Sequence, residues 1–434
     1  MFILFVVSDW KTPNTPIAFK NVAVDIHIST ALQQRGAKNV EFQPVGDLNK
    51  TYLYSAYYDN RSSPMIRIIA IVRNYSPLDT FICVSQTETK NLTIHETQLE
   101  FIPEPRSWGY AYQSAMIICK LTNSTQNTET VSVIEKSALR TNITLRPLNY
   151  MNVTKNKLKQ NFSRCIPVLH DFHDKMALIQ MLETDILLGM EHFIMYYNDD
   201  YPSTVGGVLE FYQSKGFLEL HHWNLPINTG DIHYYGQIAN MHDCLYRLMH
   251  RSKYVLFADI DEVVISPVFK SWLDLTNNLL KPNCASLQFP NVFFPIAFKS
   301  TNKKFSGMTD ALKYNMTFFL KTTQTKVHSI GDRSKQLVKP ESIYFLNIHS
   351  VLTYYCKESQ TRPDSVYILY IYPVLKYFNM DPQTCNVNHK DAMLHHYRNN
   401  VTSDMNKPYV ENTIMHTLSG HLIPNILKTM NSIK

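Results

Sequence analysis

Three carboxylates crowd the end of an apolar run in Tyr254-Val-Leu-Phe-Ala-Asp-Ile-Asp-Glu-Val-Val-Ile, so that Asp259, Asp261 and Glu262 follow a stretch with the texture of a buried strand. Two carboxylates two residues apart point to the same side of an extended backbone. In open α/β sheets ligands bind outside the carboxyl ends of the strands. Acids packed there are costly unless something cationic neutralises them. A hard divalent ion, Mn2+ or Mg2+, would do so, and with open positions it would also take phosphate oxygens. The plainer alternative is that the strand simply ends and the acids are solvated turn residues that cap or pair with Arg251 or Lys253.

Two reaction classes use this arrangement. A transferase of nucleotide sugars uses Asp-x-Asp to hold a metal on the diphosphate, offsetting charge on the departing nucleoside diphosphate. A phosphatase of the haloacid-dehalogenase type uses Asp-x-Asp-x-(Thr/Val), which Asp259-Ile-Asp-Glu-Val263 also fits, with Asp259 as nucleophile. Position separates the two. The phosphatase motif belongs on the first strand of its domain, whereas three β/α units precede it here, and no later Asp-Asp pair is available to hold magnesium. A third reading, a catalytically silent glycan-binding protein, sits poorly with three intact acids.

A metal held by two carboxylates recruits a third protein ligand, and imidazole suits Mn2+; His349 and His396 are the candidates, with Arg398 in the same polar group as His396. Arg333, Lys335 and Lys339 could stabilise the negative charge that grows on a leaving diphosphate. His170 and Asp171, at the end of one expected strand, and Asn198 and Asp200, at the end of the next, could border the nucleotide. A transfer to an acceptor hydroxyl also needs a general base. Asp310, Asp332, Glu341 and Asp391 are available after the acidic motif, as are Glu358 and Asp364, and no spacing argument chooses among them.

These residues need a scaffold. Cys165 to Leu169 reads as a strand, and Lys175 to Met190 as a helix with Leu178, Leu182 and Ile186 at four-residue spacing before Gly189. His192 to Tyr197 is a second strand, Val205 to Lys215 a helix, and Phe217 to Trp223 a third strand. Ile238, Met241, Leu245 and Leu248 then mark a helix before the strand Tyr254 to Ala258. Strands alternating with helices of this length predict βαβ units in an α/β domain. Upstream, short apolar bursts at Tyr52 to Tyr58, Met65 to Val72, Thr80 to Val84, Ser114 to Leu121 and Thr130 to Ile134 are separated by turn residues and predict a smaller antiparallel β domain.

At 434 residues the chain is long enough for two domains. A net charge of +6 comes from scattered residues and not from runs that track a phosphate backbone, which excludes nucleic acid as a partner class. No Gly-x-Gly-x-x-Gly or P-loop pattern occurs. Of the sequons at Asn49, Asn60, Asn74, Asn91, Asn123, Asn142, Asn152, Asn161, Asn315 and Asn400, eight of the ten fall between Asn49 and Asn161. That pattern suits a glycan-clad module ahead of a region kept clear. Seven cysteines show no metal spacing and fit sparse disulfides of an oxidising lumen, Cys83 with Cys119 among the options. Met1 to Val7 is apolar but far short of the roughly 20 residues that cross a bilayer; a signal-anchor is expected to be missing from this chain.

The run from Cys165 through Pro267 resembles glycosyltransferase family 92. The matching pieces are Leu187-Leu-Gly-Met-Glu-His-Phe193, Tyr235-Gly-Gln237, Asp243-Cys-Leu-Tyr-Arg247 and Phe257-Ala-Asp-Ile-Asp-Glu262. Arg333-Ser-Lys-Gln-Leu-Val-Lys-Pro340, His349 and His396-Tyr-Arg398 resemble its downstream blocks, and Ser55-Ala-Tyr-Tyr-Asp59 its amino-terminal region. The resemblance implies a GT-A fold with a Rossmann-like mixed sheet and inverting transfer of galactose from UDP-galactose to a glycan acceptor. It also implies a type II membrane protein of the Golgi, and it adds Gln237 to the nucleotide-sugar residues. The expected organisation is a stem over 1–48, an N-glycosylated β-rich domain over 49–162 and the transferase domain over 163–434.

Overall fold

The computed structural model describes residues 41–46, 50–74, 81–87, 92–104, 109–121, 128–136, 142–145, 158–198, 203–355, 383–399 and 409–433. Asp200, Glu358, Asp364, Cys356, Asn49, Asn91, Asn123, Asn152 and Asn400 lie outside them. Asn39–Lys434 is one compact unit.

Its first part is a sheet of eight antiparallel strands: β1 (Gln43–Val45), β2 (Thr51–Asp59), β3 (Met65–Arg73), β4 (Phe81–Thr87), β5 (Leu92–Phe101), β6 (Tyr112–Lys120), β7 (Thr128–Glu135) and β8 (Asn142–Leu145). Their order is β1-β2-β3-β6-β5-β4-β7-β8, and β1 at one end reaches β7 and β8 at the other. The near-continuous apolar run of β3 has a physical cause, because side chains alternate between faces and both faces are covered. Ile66, Ile68, Ala70 and Val72 fill the core inside the curled sheet, while Met65, Ile69 and Ile71 pack toward the rest of the chain. Cys83 and Cys119 are bridged across β4 and β6. The exposed sequon residues here and beyond include Asn60, Asn161 and Asn315, whereas Asn74 is half-buried and its Nδ2 donates to the Tyr110 carbonyl at 2.5 Å.

The expected alternation follows: β9 (Gln160–Leu169), α1 (Lys175–Leu187), β10 (His192–Tyr197), α2 (Ser203–Ser214), β11 (Leu218–His222), α3 (Gln237–Leu248) and β12 (Ser252–Phe257). Asp174 caps α1 by accepting from the Ala177 N–H at 2.9 Å, and Gly189, at φ +99°, lets the chain leave the helix. Later come β13 (Glu262–Ile265), α4 (Trp272–Leu279), β14 (Cys284–Phe289), β15 (Asn291–Pro295), α5 (Met308–Lys313), α6 (Thr317–Leu320), β16 (Thr323–Gln324) and β17 (Lys335–Val338). The chain closes with β18 (Ile343–Asn347), β19 (Ser350–Tyr354), β20 (Gln383–Asn386), β21 (Met393–Arg398), β22 (Val410–Glu411) and α7 (Ser419–Ser432).

The central sheet is mixed, in the order β11-β10-β9-β12-β17-β14-β20. β9 to β12 are parallel to their neighbours, and β17 runs antiparallel to both β12 and β14. A smaller sheet, β13-β21-β15, stands beside it. One face of the central sheet is covered by α1, α2 and α7, the other by α3. Two further disulfides, Cys165–Cys244 and Cys284–Cys385, tie β9 to α3 and β14 to β20. Among the described residues no helix is long and apolar enough to cross a membrane.

α3 is held from both sides. Every residue of it except Gln237 is buried, because the eight-stranded sheet lies on the face that the central sheet leaves free. Asp243 is the hub of that seam. Its carboxylate takes Ser55 and Tyr57 hydroxyls from β2, the Tyr196 hydroxyl from β10, and Arg247 one turn along α3, with Nη2 2.9 Å from Oδ2. Burial pushes the Asp243 pKa up, but Arg247 and these donors outweigh it and hold the acid below its ordinary value. Asp59 makes a second junction with Arg61 and Arg67, and Arg61 reaches the Ile343 carbonyl at 2.6 Å.

Candidate functional site

The strand order turns back between β9 and β12, with β10 and β11 on one side and β17, β14 and β20 on the other. Loops leaving two such neighbours diverge and open a crevice at their carboxyl ends. His170 follows β9, the Asp259–Glu262 turn follows β12, Gln237 opens α3, and Arg333 precedes β17. His349 lies in the β18–β19 turn, and His396 and Arg398 are on β21. All of these line one cleft of about 720 Å³, together with Tyr234, Tyr235, Pro167, Val168 and Ile348.

The acids in this cleft are paired with cations of the protein, though not with Arg251 or Lys253. Lys335 Nζ is 2.9 Å from Asp259 Oδ2 and 3.4 Å from Glu262 Oε2, and its side chain is only 3% exposed. His396 bridges Asp261 and the shared Glu262, with Nε2 3.1 Å from Asp261 Oδ2 and Nδ1 3.3 Å from Glu262 Oε1. Burial raises the Asp259 pKa, but Lys335, followed by His396 and His349, more than offsets it and holds the acid below its usual value. Glu262 is pushed up by burial and by its acidic neighbours despite Lys335. Burial would lower Lys335, yet Asp259 and Glu262 raise it. His396 is likewise raised, Glu262 and Asp261 outweighing burial. Burial and then Lys335 lower His349 to about 4, so it stays neutral. Its Nδ1 faces the Ser334 carbonyl at 3.2 Å, which leaves Nε2 as the free lone pair.

The turn itself is held from below. Arg164 on β9 donates through Nη2 to the main-chain carbonyls of Asp259 and Glu262, the latter at 2.9 Å, while Nη1 is 2.6 Å from Asp185 on α1. The Asp259 N–H donates to Glu262 Oε2 at 2.9 Å, and the Tyr397 N–H to the Asp261 carbonyl at 2.8 Å.

A second cavity of about 300 Å³ adjoins the cleft, sharing Val168, His170 and Tyr235 and adding Asn198, Trp223, Asn224, Leu225 and Thr229. Its wall is an unusual turn. Tyr234, Tyr235 and Gly236 have φ of +40°, +57° and +72°, a left-handed run that costs roughly 1–2 kcal/mol at each tyrosine. The Trp223 indole N–H fixes it by donating to the Tyr235 carbonyl at 2.9 Å, and the Tyr235 ring lies 4.0 Å from that of His170. Trp223 is in turn packed by Tyr54 of β2 and by Phe42, which precedes β1. Trp272 is core, packed against Phe162 and Phe289.

Other expected site residues fall elsewhere. Lys339 is at the far end of β17, since this strand runs antiparallel to β12 and places Val338 opposite Val255; only Lys335 reaches the acids. Asp171 is exposed and paired with His173 at 2.8 Å, outside the cleft wall. None of Asp310, Asp332, Glu341 and Asp391 lines the cleft. Asp332 holds His328 Nδ1 at 2.8 Å, and Glu341 faces His250 at 3.6 Å. Arg164, Asp185 and the tyrosine turn were not expected. A lone arginine inside an apolar strand and the Tyr-Tyr-Gly run are the signals that could have found them.

For a divalent ion the donor set is chemically suitable: carboxylate oxygens of Asp259 and Asp261 with imidazoles of His349 and His396 match Mn2+ better than a softer metal. Both ion pairs use Oδ2 of the aspartate, so Oδ1 of each is left over. Among the described residues no three His, Cys, Asp or Glu side chains already form a group that could hold an ion. An ion held by Asp261 would compete with the His396 pair at that carboxylate.

Comparison with known proteins fixes the class: this is a glycosyltransferase, an enzyme that takes a sugar donor and a glycan acceptor. The family model of glycosyltransferase family 92 matches residues 160–433, and the chain belongs to that family. The matched region begins at the first residue of β9. The chain is 23% identical over 308 residues to the beta-1,4-galactosyltransferase galt-1 of Caenorhabditis elegans, covering 69% of this chain and 68% of the relative. Among solved structures, the apo WbbM bifunctional glycosyltransferase is 12% identical with TM-score 0.22, covering 31% of this chain and 23% of its own. A mycobacterial protein is 11% identical with TM-score 0.26, covering 67% and 81%. Overlaps this poor carry no argument about fold.

Proposed function

We propose that this chain is a metal-dependent, inverting glycosyltransferase of the GT-A type that moves a hexose, galactose, from a UDP-sugar to a glycan acceptor in the secretory pathway. The observation that carries the reading is the placement of Asp259 and Asp261 at the strand-order switch, in a cleft that continues past His170 and Tyr235 into a second cavity. The base and ribose of the donor occupy that smaller cavity, against the paired rings of Tyr235 and His170, with Asn198, Asn224 and Thr229 as polar partners. The diphosphate then lies toward the acids, with Arg333 and Arg398 as cations in the same wall. Mn2+ (or Mg2+), held by Asp259, Asp261, His349 and His396, would offset the charge that grows on departing UDP. Lys335, itself buried, keeps Asp259 ionised, and Arg333, with its guanidinium 5.3 Å from the Phe293 ring centre, is held in place by that contact.

In the transfer, the acceptor oxygen attacks the anomeric carbon from the face opposite the phosphate. The bond from that carbon to the diphosphate oxygen breaks with its electron pair leaving on UDP, and the hydroxyl proton passes to a carboxylate base. Of the candidate bases among the described residues, Asp332 is the one next in the chain to a cleft-lining residue, Arg333, and it is carried into this proposal. The relative's name supports the sugar, and a β-linked product from an α-linked nucleotide sugar requires inversion. Three disulfides and ten sequons support an oxidising, glycosylating compartment, and a type II Golgi anchor would precede the described region. A nucleotide-release assay across UDP- and GDP-sugars, with manganese and with chelator, tests the reading. Turnover of UDP-galactose that chelation abolishes is expected; undiminished turnover in chelator, or turnover of GDP-sugars alone, overturns it.

A further inference from the structure

The guanidinium of Arg164 is a charge in a place where an aliphatic side chain would pack well. Its side chain and that of Asp185 are both 0% exposed. Buried ion pairs of this kind contribute little net stability, and well-packed apolar residues of the same volume are often better. This one is also incompletely satisfied, because Arg164 Nε and Asp185 Oδ1 are buried without hydrogen-bond partners. Stability alone is therefore a poor account of it.

What the pair does hold is a piece of main chain. Nη2 donates to the carbonyls of Asp259 and Glu262, on either side of the Ile260-Asp261 tip, while Nη1 is anchored to Asp185. The two bracketed residues are the ends of the acidic turn, and Arg164 touches neither of their carboxylates. Asp185 aims the fork, and the fork fixes the direction in which the turn projects. From this arrangement we propose that Arg164, oriented by Asp185, is a positioning residue that sets how Asp259 and Asp261 point into the cleft. The proposal rests on the transferase reading of that turn.

The test uses the full chain with Arg164→Met and Asp185→Leu combined, which removes both charges and leaves neither unpaired. The double variant should still fold cooperatively, since the unpaired charge that either single change would leave is gone, with any loss of stability confined to the two carbonyls that lose their donor. Hydrogen exchange measured by mass spectrometry should nevertheless speed up in peptides covering 258–263 and stay unchanged across α2 and α7. Turnover of UDP-galactose with manganese should fall about 100-fold, the usual consequence of a misplacement near 1 Å. Unchanged exchange in the turn, or a loosened turn with turnover kept within about threefold of the parent, overturns the proposal. If the parent itself turns over no UDP-sugar while the turn still loosens, the positioning stands and the donor assignment is what fails. Should the double variant not fold, Arg164→Lys gives the same readouts, because it keeps a cation for Asp185 but lacks the fork that spans both carbonyls.

Discussion

Lys335→Met isolates the electrostatics of the acidic turn. In the parent, one buried ammonium neutralises Glu262, which is 1% exposed, and Asp259, which is 36% exposed. Removing one partner of a buried pair costs about 3–5 kcal/mol. Glu262 carries most of that loss, and the share from Asp259 is discounted because water screens it. The pH dependence has a definite sign. A carboxyl whose folded pKa is raised destabilises the fold above its unfolded value near 4.5, and the penalty fades as pH falls through the folded value. Glu262 is already raised with Lys335 present, and it rises further without it. Lys335 itself, also raised, contributes fully throughout the range below about 10.5. Chemical denaturation in chelator at pH 8 should therefore show a deficit of about 3 kcal/mol or more, shrinking at pH 5.5 as Glu262 takes a proton. A deficit under about 1 kcal/mol at pH 8, or one that grows on acidification, would refute the assigned pairing.

Asp261→Asn should leave the fold almost intact, because the side chain is 43% exposed and its pair with His396 is worth no more than about 1 kcal/mol. Metal-dependent turnover should fall at least about 100-fold; unchanged activity would remove Asp261 from the site. His396→Gln should show the opposite pH trend to Lys335→Met. Since His396 is raised, its contribution is complete below about pH 6.5 and lost as pH climbs through the folded value. The variant measured in chelator should thus be weakened at pH 6 and approach the parent at pH 9, and an equal loss at both would count against an ionised His396. Lys339→Ala should leave UDP-galactose turnover as it was, since that side chain sits near Lys253 at the other end of the sheet; a loss comparable to that of a cleft residue would contradict the register of β17.

The β/α alternation from Cys165 to Ala258 was legible because each strand is buried on both faces and each helix shows its period, so pattern and position agree. The acidic turn was legible for the same reason: acids after such a strand must lie at a carboxyl end. The later strands were harder. β17 enters the central sheet from far along the chain and runs antiparallel to both its neighbours, β12 and β14, and nothing local in Lys335–Val338 states its partner. That is why Lys335 and Lys339 look equivalent in sequence yet lie at opposite ends of β17. β5 escaped notice because its exposed and half-buried positions carry polar residues such as Thr93, Glu96 and Gln98. The pieces Ser55-Ala-Tyr-Tyr-Asp59 and Asp243-Cys-Leu-Tyr-Arg247 stood out as family marks without a role, and the structure gives them one as the two halves of a junction. The candidate bases could not be ranked in sequence because closeness to the cleft depends on loops joining distant strands.

The Asp243 hub has a practical consequence for anyone dissecting this gene. Trimming the polypeptide at Gln160, where the matched region begins, would strip Ser55 and Tyr57 from that carboxylate and bare the greasy flank of α3. It would also take away the aromatic backing of Trp223, and with it the support of the tyrosine turn. The upstream strands are thus part of the wall that keeps α3 and the tyrosine turn in place, and a polypeptide trimmed at Gln160 would present that apolar surface to water.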